Sequence, residues 1–373
     1  MEFGLNEEQQ QLRESVRAFL ARECPTTRVR QVMADAEGMP RDLYGEIAKL
    51  GWSGLLVPEQ FGGAGLGLLD MSVVLEECGY AALPGPFLFS SVIAASALKW
   101  GGSDEMKRRW LGALADGSAI GTVAIVEASD STNPADLSTS ARHDDSRWLL
   151  NGAKMFVPYA HVADFIVVAA RTGARPAAVG LFVVEPKMPG VHVRMLRNLD
   201  LTRRVSAVEL DGVVLTAGAH LGGGLKLYNR LCDVGSIAVA ADSLGGIERA
   251  LEMAVDYSRI REQFGKPIGS FQALKHGAAE IVADLEPARA LLWYAAHAED
   301  ALPAEAPRAA AMVKARLCEV YSRGSDRAVL MHGGIGFTWE HDMHLWFKRA
   351  RFNDAYFGAP PFHRERLAAL SGY

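Results

Sequence analysis

The sequence has little of what marks a disulfide-stapled, metal-bound or nucleic-acid-binding chain. Its four cysteines, Cys24, Cys78, Cys232 and Cys318, stand isolated among 373 residues. No CxxC pair and no Cys/His cluster occurs, which argues against a disulfide framework or a structural zinc and fits a reducing cytoplasm. No apolar run is long enough to cross a bilayer, and the N-terminus lacks the charged-then-apolar pattern of a signal peptide. Positive charge is not in excess: 39 Lys and Arg face 44 Asp and Glu, for a net charge of -5. That balance argues against nucleic acid or an anionic membrane as a partner. The glycines between Gly62 and Gly67 do not spell GxGxxG, and no strand pattern precedes them, so no dinucleotide fingerprint is read there. What remains is ordinary globular material, 49% hydrophobic and 22% charged. It is too long for one typical core, and two or three domains are expected.

Hydrophobic period changes twice along the chain. Residues 1–117 read helical. Asn6 and Gln9 spell a capping box, and Leu12, Val16, Phe19 and Leu20 follow at helical spacing. Leu43, Ile47 and Leu50 mark a second helix, and helical pattern returns over 69–79 and 90–100. Residues 118–215 hold short strand-like runs at 122–126, 165–168 and 179–184. Asn151-Gly152, between Trp148-Leu149-Leu150 and Lys154-Met155-Phe156-Val157, is the strongest short hairpin signal. Strands without intervening helices predict an antiparallel sheet or small barrel. From Gly224 onward Leu227, Leu231, Val234, Ala238 and Ala241 recur at helical spacing, continued by Leu244, Ile247, Leu251 and Ala254. One long bundle helix is predicted. Further helices are expected over 271–299, with a kink at Pro287, over 307–330 and over 340–352.

The stretch 331–361 ends a helix in Gly333-Gly334 and runs on to Tyr356-Phe357-Gly358. Glycines after a helix let backbone approach something flat or phosphorylated. The stretch is expected to close a site, yet it offers no acid, base or nucleophile where one is useful.

Residues 257–272, YSRIREQFGKPIGSFQ, closely resemble the RxxFGxxIxxFQ signature of acyl-CoA dehydrogenases. His332-Gly333-Gly334-Ile335-Gly336-Phe337 is similar to their HGGxGF motif, Leu150-Asn151-Gly152-Ala153-Lys154 to their LNGxK hairpin, and residues 58–63, PEQFGG, to their PExxGG loop. The resemblance covers nearly the whole chain, in order. It implies an α+β multidomain fold: a helical domain over 1–117, a middle antiparallel β-barrel over 118–215 and a four-helix bundle over 224–373. It implies FAD as cofactor, an acyl-CoA or related thioester as substrate, an electron-transfer flavoprotein as partner, and a homo- or hetero-oligomer, dimer or tetramer. The implied reaction is α,β-dehydrogenation, with a glutamate taking the α proton and flavin taking the β hydrogen. Arg261 is the candidate for the cofactor diphosphate, because a guanidinium supplies fixed charge and several donors. Phe264 and Gln272 are the candidates for the adenine half, Gly333 and Gly334 for amide approach to the diphosphate, and Phe156 and Val126 for the flavin ring. Taken singly, Arg261 and Gln263 also fit solvated helix-end residues, Phe264 a core residue and the glycines helix C-caps. Their joint order and spacing favour the cofactor.

Several positions depart from the family pattern. The glutamate of Tyr-Glu-Gly-Thr is Phe357 here, and the alternative glutamate near the start of the long helix is Gly235. The arginine after it is Ser236, the Thr-Glu-Pro of the flavin segment is Val126-Glu127-Ala128, the threonine near N5 is Pro158, and the glutamine before HGG is Leu330. The catalytic residue is therefore unassigned. Asp242, two turns beyond Gly235 but displaced about 10 Å along the axis, is a weak candidate for a relocated base, and Asp233 another. Three hypotheses stand: a dehydrogenase or subunit of one, a non-catalytic partner subunit of a heteromeric dehydrogenase, and different flavin chemistry (N-oxygenation or desulfination) on the same fold. His341 and His344 are read as a solvated helix face rather than metal ligands. Arg203 and Arg204 read as an exposed basic pair, with a phosphate contact as the alternative. Ser131 and Ser140 belong to no nucleophile arrangement.

Overall fold

The computed structural model describes residues 4–129, 133–144 and 146–373. The first helix begins where the sequence supplies a cap. Ahead of α1 (Glu7–Glu23), Asn6 Oδ1 accepts the Gln9 amide at 2.8 Å and Gln9 Oε1 accepts the Asn6 amide at 3.1 Å. The pair satisfies donors that a helix start leaves open. Next come α2 (Thr26–Ala34), α3 (Arg41–Lys49) and α4 (Leu68–Tyr80). A π-helical stretch, Leu88–Ala94, then leads into α5 (Ala95–Gly101) and α6 (Asp104–Ala115). The strands are β1 (Gly121–Ala124), β2 (Ser140–Asp144), β3 (Arg147–Pro158), β4 (Phe165–Arg171), β5 (Val179–Val184), β6 (Val191–Met195), β7 (Val205–Thr216) and β8 (His220–Leu221).

The sheet runs in the order β6-β7-β3-β2-β4-β5-β8, with β1 on β4. It is mixed, which corrects the antiparallel expectation: β1 pairs β4 in parallel from Gly121 opposite Phe165 to Ala124 opposite Val168, and β2 meets β4 in parallel at Ser140 and Arg171. The lack of helices between strands did not exclude parallel pairs, because the β2–β3 segment itself serves as the crossover from β1 to β4. β4 and β5 are buried at every position but Arg171, so their continuous apolar runs reflect cover on both faces.

The hairpin expected at Asn151-Gly152 is also corrected. β3 passes straight through it, and the chain reverses between Asp144 and Arg147 instead. The register against β7 shifts between Leu150 and Gly152, with the extra residue on β7. Asn151 Oδ1 accepts the Gly212 amide of that bulge at 2.9 Å. Gly152 is needed for close approach: a Cβ there would lie 2.6 Å from the Thr139 Cα.

By compactness the chain divides into two units, Met1–Gln31 with Leu68–Leu83 and Ser236–Tyr373, and Val32–Gly67 with Pro84–Gly235. α7 (Gly224–Ile260) supplies its first turns to the sheet-containing unit and the remainder to the helical one. The helical unit adds a small hairpin of β9 (Glu262–Gln263) and β10 (Lys266–Pro267), then α8 (Gln272–Ala301), α9 (Ala306–His332), α10 (Met343–Ala355) and α11 (Pro360–Leu370). α11 exceeds the four helices expected after the sheet. Pro287 lies inside α8, which continues through it. α4 and α7 approach backbone to backbone, for a Cβ on Gly245 would stand 1.7 Å from the Glu76 carbonyl oxygen. Arg13, Arg17 and Arg289 bind Glu76, Glu77 and Glu248 in one network joining α1, α4, α7 and α8.

Candidate functional site

The sheet-containing unit holds Val126 and Phe156 at neighbouring backbone: the Met155 amide donates to the Val126 carbonyl at 2.9 Å. Phe156 is 43% exposed and has φ +52, a left-handed conformation that bulky residues seldom adopt. The register with β7 shifts between Lys154 and Val157. This bulge turns Phe156 away from the side on which Lys154 is buried, although regular alternation would put both on one face. Beneath it Lys154 Nζ donates to Glu127 Oε1 at 2.6 Å, with both side chains buried. Glu127 also accepts the Ser138 amide at 2.6 Å, the Thr139 amide at 3.0 Å and the Ser138 hydroxyl. Burial alone would raise the Glu127 carboxyl, but the Lys154 ammonium and the Ser138 donors outweigh it and hold it down at about 2.

The helical unit holds the other five expected contacts at one end of its bundle. Tyr257, one turn before the end of α7, stacks on His332 at the end of α9, with ring centroids 4.9 Å apart. That contact brings the segment after α7, with Arg261, beside the turn after α9, with Gly333 and Gly334. No ion pair or side-chain hydrogen bond engages the Arg261 guanidinium among the described residues, while its carbonyl accepts from Ile268 N at 2.8 Å. Phe264, at the tip of the β9–β10 hairpin, is 91% exposed with φ +55, which overturns the core alternative for it. Gln272 opens α8, a helix start without a side-chain cap. An uncapped helix start and a guanidinium without a partner among the described residues each suit an anion. A Cβ on Gly333 or Gly334 would meet nothing within 4 Å, so the space over this turn is open. These residues fit a dinucleotide's phosphates and base: among the described residues the Arg261 guanidinium has no partner, and Phe264 meets only the edge contact of Phe271, ring centroids 6.0 Å apart, with the rest of the ring exposed.

Neither base position is ionisable in its setting. Gly235 is buried within α7. Phe357 is 2% exposed with φ +63 and stands in a tightly held turn. Lys314 of α9, fully buried, donates to the carbonyls of Asn353 at 2.9 Å, Asp354 at 3.0 Å and Gly358 at 2.8 Å. It thereby caps the open end of α10. His363 Nε2 donates to the Phe357 carbonyl at 2.8 Å, and burial beside Lys314 pushes that imidazole down to about 4. Asp242 is 1% exposed, accepts from Asn353 Nδ2 at 2.8 Å and lies 3.5 Å from Arg349 Nη1. Arg349 in turn donates to the Leu83 carbonyl at 2.8 Å. Asp242 is thus a buried partner of an arginine and an amide, a structural carboxylate rather than an accessible base.

Comparison with known proteins decides the family. The acyl-CoA dehydrogenase N-terminal, middle and C-terminal domain models match residues 6–118, 122–212 and 222–371. The chain belongs to the acyl-CoA dehydrogenase family. It is 32% identical over 366 residues to acyl-CoA dehydrogenase IpdE2 of Mycolicibacterium smegmatis, covering 98% of this chain and 99% of that one. Among solved structures it is similar to the ChsE4-ChsE5 complex of Mycobacterium tuberculosis, with TM-score 0.93, 29% identity and all of both chains covered. It is also similar to a glutaryl-CoA dehydrogenase of Mycobacterium smegmatis in complex with FADH2, with TM-score 0.88, 25% identity and 99% and 96% of the two chains covered.

Against the acyl-CoA dehydrogenase pattern, the Glu127–Lys154 pair and the Lys314 cap are the residues that sequence reasoning passed over. Glu127 and Lys154 both lie inside quoted motifs, so the signal was present without a role. Lys314 had none, because a lysine in a helical stripe reads as surface until its partners are known. The exposed basic pair is corrected. Arg203 is 3% exposed and lies over Phe89, while Arg204 Nη2 donates to the carbonyls of Met33 and Asp35 at 2.9 and 2.6 Å. The solvated face is corrected too. His344 is buried and stacks on Trp339 at 4.5 Å, His341 packs on His332 at 4.5 Å, and the His344 imidazole is pushed down to about 4 by burial, then by Lys348. Among the described residues no group of three or more His, Cys, Asp or Glu could hold a metal, and no helix is long and apolar enough to cross a membrane. Ser131 lies outside the described residues.

Proposed function

We propose that this chain is a subunit of an FAD-dependent acyl-CoA dehydrogenase that lacks its own α-proton base and works beside a family member that has one. The observation that carries the reading is the contrast at position 357. The turn is held by Lys314 and His363, yet it presents a buried phenyl group where the reaction needs a carboxylate. Asp242, a candidate for a relocated base, is already bound by Asn353 and lies beside Arg349. When bound, FAD supplies the acceptor for the β hydrogen. The chain's own residues serve that group by position and charge. In the helical unit, Arg261 and the α8 amides would neutralise a diphosphate, Phe264 and Gln272 would meet an adenine half, and Gly333 and Gly334 would leave room for it; in the sheet-containing unit, Phe156 and Val126 would face a flavin ring. Similarity to one chain of a two-component complex supports a mixed assembly. An electron-transfer flavoprotein would reoxidise the flavin.

The test is to purify the chain alone and with a companion from a neighbouring gene, then to measure FAD per chain and anaerobic bleaching by a panel of acyl-CoA thioesters. FAD and bleaching that require the companion are expected. A chain that alone binds one FAD per subunit and dehydrogenates acyl-CoA overturns the proposal. Flavin that oxidises substrate without α,β-desaturation would instead indicate the N-oxygenation or desulfination chemistry.

A further inference from the structure

The Phe156 backbone is left-handed and its ring is partly exposed, so something must hold it there. The strand alone does not, because a regular β3 would bury Phe156 on the same face as Lys154. We propose that the buried Glu127–Lys154 ion pair is a positioning device for the flavin: it sets the β3 bulge and aims the Phe156 ring, without itself touching the reacting atoms. This deepens the flavoprotein reading above and rests on it.

Three backbone segments converge on the pair. Lys154 on β3 reaches Glu127 at 2.6 Å and the Ile125 carbonyl at 3.5 Å, both in the segment that leaves β1. Glu127 gathers the amides of Ser138 and Thr139 from the segment entering β2. The Met155 amide closes the triangle on the Val126 carbonyl. Val126 and Phe156 are therefore each one or two residues from a member of the pair. With Lys154 drawn inward and Met155 fastened to Val126, the extra residue of the bulge falls at Met155-Phe156, and the phenyl ring turns outward. Groups that bind a site must themselves be fixed by neighbours whose rotamers are locked, and a buried ion pair whose carboxylate accepts from Lys154, Ser138 and Thr139 provides that.

The experiment is a double-mutant cycle on the assembled protein, with FAD added to the apo form. Wild type, Lys154→Met, Phe156→Ala and the double variant are compared by FAD dissociation constant, visible spectrum of the bound flavin and melting temperature. Loss of a supporting neighbour costs a bound group about 10-fold or more in affinity, and Lys154→Met is expected to do so for FAD. The double variant is expected to bind FAD no more than about threefold more weakly than Phe156→Ala alone, because both substitutions remove the same contact. Two results overturn the proposal: a lower melting temperature for Lys154→Met with an unchanged FAD constant and spectrum, or a double variant whose loss is the product of the single losses. If Lys154→Met does not fold, Ser138→Ala, which removes only a hydroxyl donor to Glu127, is expected to weaken FAD in the same direction by about two- to threefold. An unchanged constant in folded Ser138→Ala overturns the idea equally. A wild-type assembly that takes up no FAD sinks the flavoprotein reading itself, and is told apart because no variant then has an FAD constant to compare.

Discussion

Phe156 and Phe264 are both aromatic, both left-handed and both candidates for contact with a flavin cofactor, but the chain holds them in opposite ways. Phe156 rests on a buried ion pair with every acceptor of Glu127 in use. Phe264 stands at the tip of a two-residue-strand hairpin, 91% exposed, near an arginine whose guanidinium has no partner among the described residues. The first region is preorganised by its own subunit, and its geometry exists before any ligand arrives. The second is open, with Phe264 held only by an edge contact to Phe271. That division suits a subunit that contributes part of a site to an assembly.

The comparison is broken most forcefully at the buried pair. Lys154→Met leaves Glu127 charged and without its cation, and should cost about 3–5 kcal/mol of folding stability, read from the urea midpoint. A loss below about 1 kcal/mol would mean that the Ser138 and Thr139 donors suffice. Asp242→Asn removes the carboxylate beside buried Arg349 and should cost about 3 kcal/mol, while any turnover of the assembled enzyme persists per folded molecule. Lost turnover with unchanged stability would return Asp242 to the list of bases. Acid sharpens the contrast at nearly the same scale. Glu127 has a folded-state value of about 2, against about 4.3 when unfolded. Its stabilising contribution, about 3 kcal/mol, is complete above the unfolded value and is lost as pH falls toward the folded one. In Glu127→Gln that part of the pH slope should vanish. The smallest effect on stability belongs to the open region. Arg261→Ala and Phe264→Ala should change the melting free energy by no more than about 0.5 kcal/mol, since the Arg261 guanidinium has no partner among the described residues and Phe264 has only an exposed edge contact to Phe271. They should nevertheless reduce FAD retained by the assembly. A large stability loss in the isolated chain would show that the hairpin is part of its core.

Much of this was legible in the residues. The Asn6–Gln9 box, the long α7 stripe and the change of period at the sheet each express a local rule: a cap, a helical repeat, an alternation. The motif spacing carried the family, and with it the candidates Arg261, Phe264, Gln272, Gly333, Gly334, Phe156 and Val126. Asn151-Gly152 misled because the dipeptide favours a turn only if the chain can reverse there, and pairing with β7 on one side and the close approach of Thr139 on the other kept β3 extended. Arg203, Arg204 and His344 misled because polar residues read as exposed until their partners are in place.

By itself the sequence determined which family the chain belongs to, where the first helix is capped and the long α7 runs, and that residues 235 and 357 carry no carboxylate. Those are matters of residue identity and local period. The tertiary structure alone decided that Asp242 is spent on Asn353 and Arg349, that Lys314 caps the turn around Phe357, and that Glu127 and Lys154 meet beneath Phe156. Each depends on distant segments being brought within hydrogen-bonding reach in a buried setting, where an unpaired charge is costly and a paired one fixes the backbone around it.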